Sequence, residues 1–298
     1  MQLRNRTAVI LGVADQTSIA WGIARRLLEH GAKVHIGYQQ KFFSRVRLLL
    51  LENPAVEGDR CDVLQDAELE AFFGKFKQTP IDVLVHCIAY GPPDVFTDPP
   101  SQVKAESFRQ TLEISTHSFL KVAGHAKPYL SEWGSIMTLT YQASEQASPF
   151  YGMMGVAKAA LESCVRYLAI EMGGKKVRVN AISPGPIATP AAMGEVLSFL
   201  RNPASVDTPA GKVFKRALQR IQADPALAGE NELTKATALW DVVQKRIASE
   251  CAIEELVTQD DVADCALFLA SDLSRKITGQ VIRIDCGLSS SRLMPESE

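Results

Sequence analysis

The chain has 298 residues, 46% of them hydrophobic and 22% charged, with a net charge of −2. Those are the values of an ordinary globular protein, and the charge balance offers no footprint for nucleic acid or a membrane surface. The longest basic stretch, Gly173-Gly174-Lys175-Lys176, reads as a solvated turn.

The first residues, MQLRNRTAVILGVAD, imitate a secretory leader with a basic start and an apolar run. The run is short and no small-residue cleavage pattern follows it, so a first buried strand over 7–12 is the expectation. No segment has the ~20 apolar residues of a membrane span, and the expected location is the cytoplasm. Helical spacing over 18–30 follows, with Ser18 as N-cap and Gly31 as stop. Further strands are expected at 33–38, 59–63, 81–86, 135–140, 177–182 and 280–285. Helices are expected at 40–51, 67–76, in a long stretch ending near Tyr129 after a Pro-rich loop (91–100), at 151–172 and at 260–269. Short continuous apolar runs separated by helices imply a parallel sheet covered on both faces. The expected fold is therefore α/β: one Rossmann-type, doubly wound domain over 1–298 with seven parallel strands.

One segment breaks the alternation. Roughly seventy residues separate the sixth strand from the next regular helix, against a usual connection of ~2–6. Helical patterns at 194–201, 213–223 and 234–249 mark residues 191–252 as a helical insertion beside the site, read as a lid, with a surface elaboration or an oligomer contact as the alternative. The six cysteines are scattered without metal-ligand spacing and read as reduced, mostly buried thiols; no metal is expected.

Chemistry concentrates after the strands. Gly12 begins the turn Gly12-Val-Ala-Asp-Gln-Thr-Ser18-Ile19-Ala-Trp-Gly22. A glycine there lets the backbone approach a ligand, and the following helix points its free N–H groups at a pyrophosphate. Gly22 is expected to let that helix pack closely on the sheet. Asp62 and Val63 end the expected third strand, where a carboxylate can accept the adenine amino group. Cys87-Ile88-Ala89 puts small residues where a cofactor would lie. Tyr151-x6-Lys158 spaces its two side chains by about two helical turns, so both emerge on one face. The ammonium favours the ionised phenol, and the tyrosine can then stabilise a substrate oxygen that becomes negative. His86 sits at a strand end and reads as structural.

The turn, the strand-three aspartate, Tyr151-x6-Lys158 and Pro184-Gly185-Pro186-Ile187-Ala188-Thr189 resemble the short-chain dehydrogenase/reductase superfamily. Within it, Gly12-x5-Ser18-Ile19-Ala-x-Gly22, Tyr38-Gln39, Val85-His86-x-Ile88 and Tyr141 ten residues before Tyr151 resemble bacterial NADH-dependent enoyl-acyl-carrier-protein reductases. The resemblance implies reduction of the carbon–carbon double bond of a trans-2-enoyl thioester, carried by acyl carrier protein or coenzyme A. It implies a catalytic set of Tyr151, Lys158 and Tyr141. It places Gly12, Ser18, Ile19, Gln39, Asp62, Val63, Ile88, Lys158, Ile187, Ala188, Thr189, Pro190 and Ala191 on NAD, and Ala89, Tyr90, Gly91, Tyr141 and Tyr151 on the substrate. A homotetramer is expected on the same ground. Two departures stand out: Ala89-Tyr90 replaces the family's Gly-Phe, and the insertion falls in its substrate loop. Lys41 and Arg45 beside Gln39 keep NADPH open. Thr138, thirteen residues before Tyr151, keeps a ketoreductase or alcohol dehydrogenase open, and a degenerate NAD-binding sensor is the non-enzymatic alternative.

Overall fold

The computed structural model describes residues 2–148, 151–189, 192, 196–197, 200, 209–227 and 229–290. Seven strands form one sheet: β1 (Thr7–Leu11), β2 (Lys33–Tyr38), β3 (Val56–Arg60), β4 (Ile81–His86), β5 (Leu130–Leu139), β6 (Arg178–Pro184) and β7 (Val281–Ile284). Their order across the sheet is β3-β2-β1-β4-β5-β6-β7, and every pairing is parallel. The connection reverses direction between β1 and β4, and a crevice opens at the carboxyl ends of such a pair.

Helices α1 (Ile19–Glu29), α2 (Phe43–Glu52), α3 (Asp66–Phe73), α4 (Pro93–Thr97), α5 (Ala105–Leu112), α6 (Ser118–Ala126), α7 (Met154–Gly173), α8 (Pro209–Ala223), α9 (Glu232–Glu250) and α10 (Gln259–Ala270) follow in chain order. Strand β1 shows why the apolar runs are continuous. Ala8 and Ile10 enter a core shared with Ile23, Leu27, Val46 and Ala266, contributed by α1, α2 and α10. Val9 and Leu11 enter the opposite core, with Leu69, Phe72, Phe119 and Leu161 from α3, α6 and α7. Both faces of the strand are dry, so no position on it can be polar without a partner.

Four local features differ from the sequence expectation. Strand β3 ends at Arg60, so Asp62 and Val63 stand just beyond it, in the turn before α3. The helix of Lys158 begins at Met154, which leaves Tyr151 on the preceding turn. Gly152 adopts φ +47°, a left-handed conformation that ends any helix reaching back to Tyr151. Gly22 faces α10 rather than the sheet: a Cβ on it would meet the Gln259 side chain at 2.4 Å. Finally, the long helix after the Pro-rich loop is interrupted between α5 and α6 by one π-helical turn, Glu113–His117.

The segment after β6 carries α8 and α9, the two later helices expected there. Val196, Ala217, Leu218, Ile221, Ala236 and Leu239 form its own small apolar cluster. The expected helix at 194–201 lies largely outside the described residues, as do Pro190 and Ala191. Among the described residues no helix is long and apolar enough to cross a membrane.

Candidate active site

The site lies along the carboxyl ends of β1, β2, β4, β5 and β6. Gly12 leaves β1 at φ +99°, and its backbone N–H donates to the Gly37 carbonyl of β2 at 3.1 Å. A Cβ on Gly12 would stand 2.2 Å from the Cys87 carbonyl oxygen, so only glycine lets the turn lie this close to the end of β4. Ser18 caps α1 by position, but its hydroxyl donates to the Asp15 carbonyl at 2.6 Å rather than to the helix. The first N–H groups of α1 therefore remain directed at the turn, an arrangement suited to a phosphate. The Gln259 amide donates to the Ser18 carbonyl at 2.5 Å and to the Gln16 carbonyl at 3.2 Å, fixing the turn from the α10 side.

Gln39 follows β2 and reaches Asp62: its Nε2 donates to Oδ2 at 2.9 Å. The Leu64 backbone N–H donates to the other carboxylate oxygen at 3.0 Å. Val63 is buried beside them, and Ile88 packs against the same core. This set fits a dinucleotide: a glycine cradle a Cβ would fill, a helix N-terminus, and a carboxylate one strand over. Ile187, Ala188 and Thr189 leave β6 opposite the turn. A cavity of about 420 Å³ separates Ile187 and Ala188 from Gln16 and Thr17, and its outer wall includes Gln244 of α9. The insertion thus reaches the cofactor side of the cleft.

The reactive side chains come from the segment after β5, the turn before α7 and α7 itself. Tyr141 and Tyr151 bring their rings to 4.8 Å between centroids, tilted by 52°, and Phe96 meets Tyr151 edge-on at 6.5 Å. Lys158 is 4% exposed, and its Nζ donates to the Leu139 carbonyl at 2.8 Å. A buried ammonium costs several kcal/mol unless it is hydrogen-bonded, and the strand end supplies that bond. At the end of β4 burial pushes the Cys87 thiol up to about 12, against a smaller opposing pull from the Lys158 charge, and the same charge adds to the burial that keeps His86 neutral. Tyr141, Tyr151 and Lys158 are therefore gathered at one end of the sheet, although Tyr151 is held by a turn instead of by the helix.

The π-helical turn is what ties these walls together, and the sequence reading missed it. Ser115 accepts from the Tyr90 N–H at 2.9 Å and donates to the Tyr90 carbonyl at 2.9 Å, fixing the 89–91 segment. Thr116 donates to the Ala157 carbonyl at 2.8 Å, one residue before Lys158. Ser118 lies 2.8 Å from His86 Nε2. The turn and the first residue of α6 thus direct three hydroxyls within four residues toward three different elements, a use typical of π-turns near functional sites. The one available signal was the run Ser115-Thr116-His117-Ser118 inside a helical pattern.

His86 is wholly buried, with Nδ1 3.2 Å from the Thr138 hydroxyl and Nε2 on Ser118. Burial pushes its pKa down to about 3, helped by Lys158. It stays neutral and acts as a post. Thr138 is 0% exposed and donates to the His86 carbonyl at 3.1 Å, so its hydroxyl serves this post rather than a substrate carbonyl. A pH consequence follows. The unfolded chain protonates this histidine near pH 6.5 and the folded one only near 3, so acid favours unfolding across that interval. We predict that urea unfolding shows stability falling by up to about 1.4 kcal/mol per pH unit below 6.5, and that His86→Gln removes that slope. An identical slope in the variant would assign the effect to other groups.

A doubly wound parallel sheet with a glycine turn at β1 and a Tyr–Tyr–Lys group at the ends of β5 and α7 defines a nicotinamide-dependent short-chain dehydrogenase/reductase. The family profile described as Enoyl-(Acyl carrier protein) reductase matches residues 12–216 and 229–289. An NADH-dependent enoyl-[acyl-carrier-protein] reductase of Synechocystis is 35% identical, over 96% of this chain and 97% of its own. A crystal structure of the Anaplasma phagocytophilum enoyl reductase in complex with NAD superimposes with a TM-score of 0.78 at 27% identity, covering 100% of this chain and 96% of that one. The Bacillus cereus reductase, solved with NADP+ and an indole naphthyridinone, gives 0.77 at 33% identity, covering 98% and 100%. The chain belongs to the enoyl-acyl-carrier-protein reductase family.

Proposed function

We infer that this protein reduces the carbon–carbon double bond of a trans-2-enoyl thioester on acyl carrier protein, with NADH, in fatty-acid or specialised acyl-chain synthesis. The observation that carries this reading is the Tyr141–Tyr151 ring pair at the sheet end that also holds buried Lys158, together with the sequestered Thr138 hydroxyl. NADH supplies the hydride that arrives at the β-carbon. Negative charge would then develop on the thioester oxygen, where the Tyr151 hydroxyl donates a hydrogen bond to it, and a proton taken up at the α-carbon completes the saturated thioester. Tyr141 lines the same pocket against the Tyr151 ring. Lys158 would hold the nicotinamide ribose, and its positive charge favours the negative form of the reacting oxygen. Gly12, Ser18 and Ile19 carry the pyrophosphate, Gln39, Asp62 and Val63 the adenosine, and Ile88, Ile187, Ala188 and Thr189 the nicotinamide side. Ala89, Tyr90 and Gly91 border the acyl substrate. The insertion closes the cleft as a lid, supported by Gln244 in the wall facing the turn.

The purified protein is expected to oxidise NADH with a medium-chain trans-2-enoyl thioester and to leave a β-ketoacyl thioester unreduced. Turnover of only the ketoacyl substrate would reverse the assignment.

The reading includes a cytoplasmic homotetramer. Val156, Tyr167 and Ile170 are 45%, 74% and 80% exposed on α7, and with Ala160 and Ser163 they form one stripe at helical spacing. Such a stripe on a globular protein calls for a partner surface. Tyr167→Lys with Ile170→Lys should lower the sedimentation mass, and a wild-type monomer would remove the proposal.

A further inference from the structure

We propose that Glu162 is a positioning residue for the reaction: a buried carboxylate, clamped by Thr140, whose charge keeps Lys158 and Tyr151 in their proton-bearing forms. The proposal rests on the enoyl-reductase reading above and deepens it by one residue.

Lys158 and Glu162 stand four residues apart on α7. That spacing puts two side chains on one face of a helix, with ~5–6 Å between their Cβ atoms. Both reach the end of β5, at consecutive residues. The Lys158 Nζ donates to the Leu139 carbonyl at 2.8 Å, and Glu162 Oε1 accepts from the Thr140 hydroxyl at 2.6 Å. Lys158, Glu162 and Thr140 are 4%, 6% and 3% exposed. Thr140 is itself fixed, because its backbone N–H donates to the Ile182 carbonyl of β6 at 2.8 Å. A glutamate this far from water is rare unless a cation balances it. The threonine hydroxyl supplies a hydrogen bond but no charge, and the cation on the same helix face is Lys158.

The other titratable groups at this end of the sheet bring no such charge. His86 and Cys87 meet the Lys158 field from the end of β4, but burial holds the imidazole neutral, down to about 3, and the thiol protonated, up to about 12. Tyr141 and Tyr151 bring phenols to the same place. Glu162 is the carboxylate of the group. A negative charge at this range favours the ammonium of Lys158 and disfavours the phenolate of Tyr151. Both effects keep the Tyr151 hydroxyl able to donate to the oxygen of the reacting thioester.

The test is the pH profile of kcat for the full chain with NADH and a trans-2-enoyl thioester, from about pH 6 to 10. Its alkaline limb reports loss of a proton from the Tyr151–Lys158 pair. Glu162→Gln keeps an acceptor for Thr140 and removes the charge. The limb should therefore move to lower pH by about one unit or more, the weight of an opposite charge a few ångströms away. Glu162→Asp, which keeps the charge, should leave the limb near its wild-type position. A merely structural role lowers kcat by one factor at every pH and leaves the limb in place. That result, or an aspartate variant shifted as far as the glutamine one, overturns the proposal while the enoyl-reductase reading stands. Glu162→Asp and Glu162→Asn differ in charge alone and carry the same comparison if the glutamine variant does not fold, the asparagine limb being expected about one unit below the aspartate one. A wild-type protein without enoyl turnover overturns the reading, and the proposal with it.

Discussion

Replacing Tyr151 by phenylalanine is expected to lower kcat for enoyl reduction by about 10²–10³-fold, the usual cost of removing one donor from a developing oxyanion. The ring contacts explain why the loss should be confined to chemistry. Phenylalanine keeps the face toward Tyr141 at 4.8 Å and the edge toward Phe96 at 6.5 Å, so the pocket wall stays in place. It removes only the hydroxyl. Because that hydroxyl is used when charge reaches the thioester oxygen, kcat should fall far more than KM rises. Tyr141→Phe should cost much less, since Tyr141 lines the pocket without being the donor. Stopped-flow single turnover with a trans-2-enoyl thioester separates the two. A Tyr151→Phe enzyme retaining kcat within a few-fold of wild type would move the donor role to Tyr141 or to water.

Much of this site was legible in the sequence, for identifiable reasons. Gly12 was legible because only glycine permits φ +99° against a carbonyl 2.2 Å from its missing Cβ. The sheet was legible because dry faces demand apolar residues over most of β1 and β4, the polar exceptions being Thr7, Asp82 and His86 at or near the strand ends. Thr138 and His86 were ambiguous because a hydroxyl and an imidazole carry no sign of their partner; the answer came from β4 pairing with β5, which sets His86 opposite Thr138. The π-turn was hidden because one extra residue in a helix hardly changes its apolar spacing. Gly22 was assigned the wrong neighbour for a related reason: α10 follows it by more than two hundred residues, and no local pattern announces that Gln259 will lie against it.

The turn beneath Tyr151 was the largest misreading, and it makes the second strong prediction. A periodic pattern over 151–172 hides the break because Gly152 and Met153 are compatible with a helix. In the folded chain Gly152 sits at φ +47°, and a Cβ there would stand 2.0 Å from the Val95 carbonyl oxygen. That carbonyl also accepts the Met153 N–H at 3.0 Å, so it cannot retreat without losing its bond. The left-handed conformation itself costs an alanine only about 1–2 kcal/mol; the collision with backbone is the larger effect. Either α4 shifts or Tyr151 does, and both line the site. Gly152→Ala is therefore expected to lower kcat by at least about tenfold, as misplacement near 1 Å does, and to lower Tm by roughly 5–10 °C through a loss near 2–3 kcal/mol. Gly173→Ala is the matched control, because a Cβ there meets nothing within 4 Å, and its Tm should move little. Calorimetry and enoyl turnover on the two variants decide the matter. If Gly152→Ala keeps both kcat and Tm, the turn does not position Tyr151, and the tyrosine must be held by its ring contacts with Tyr141 and Phe96 alone.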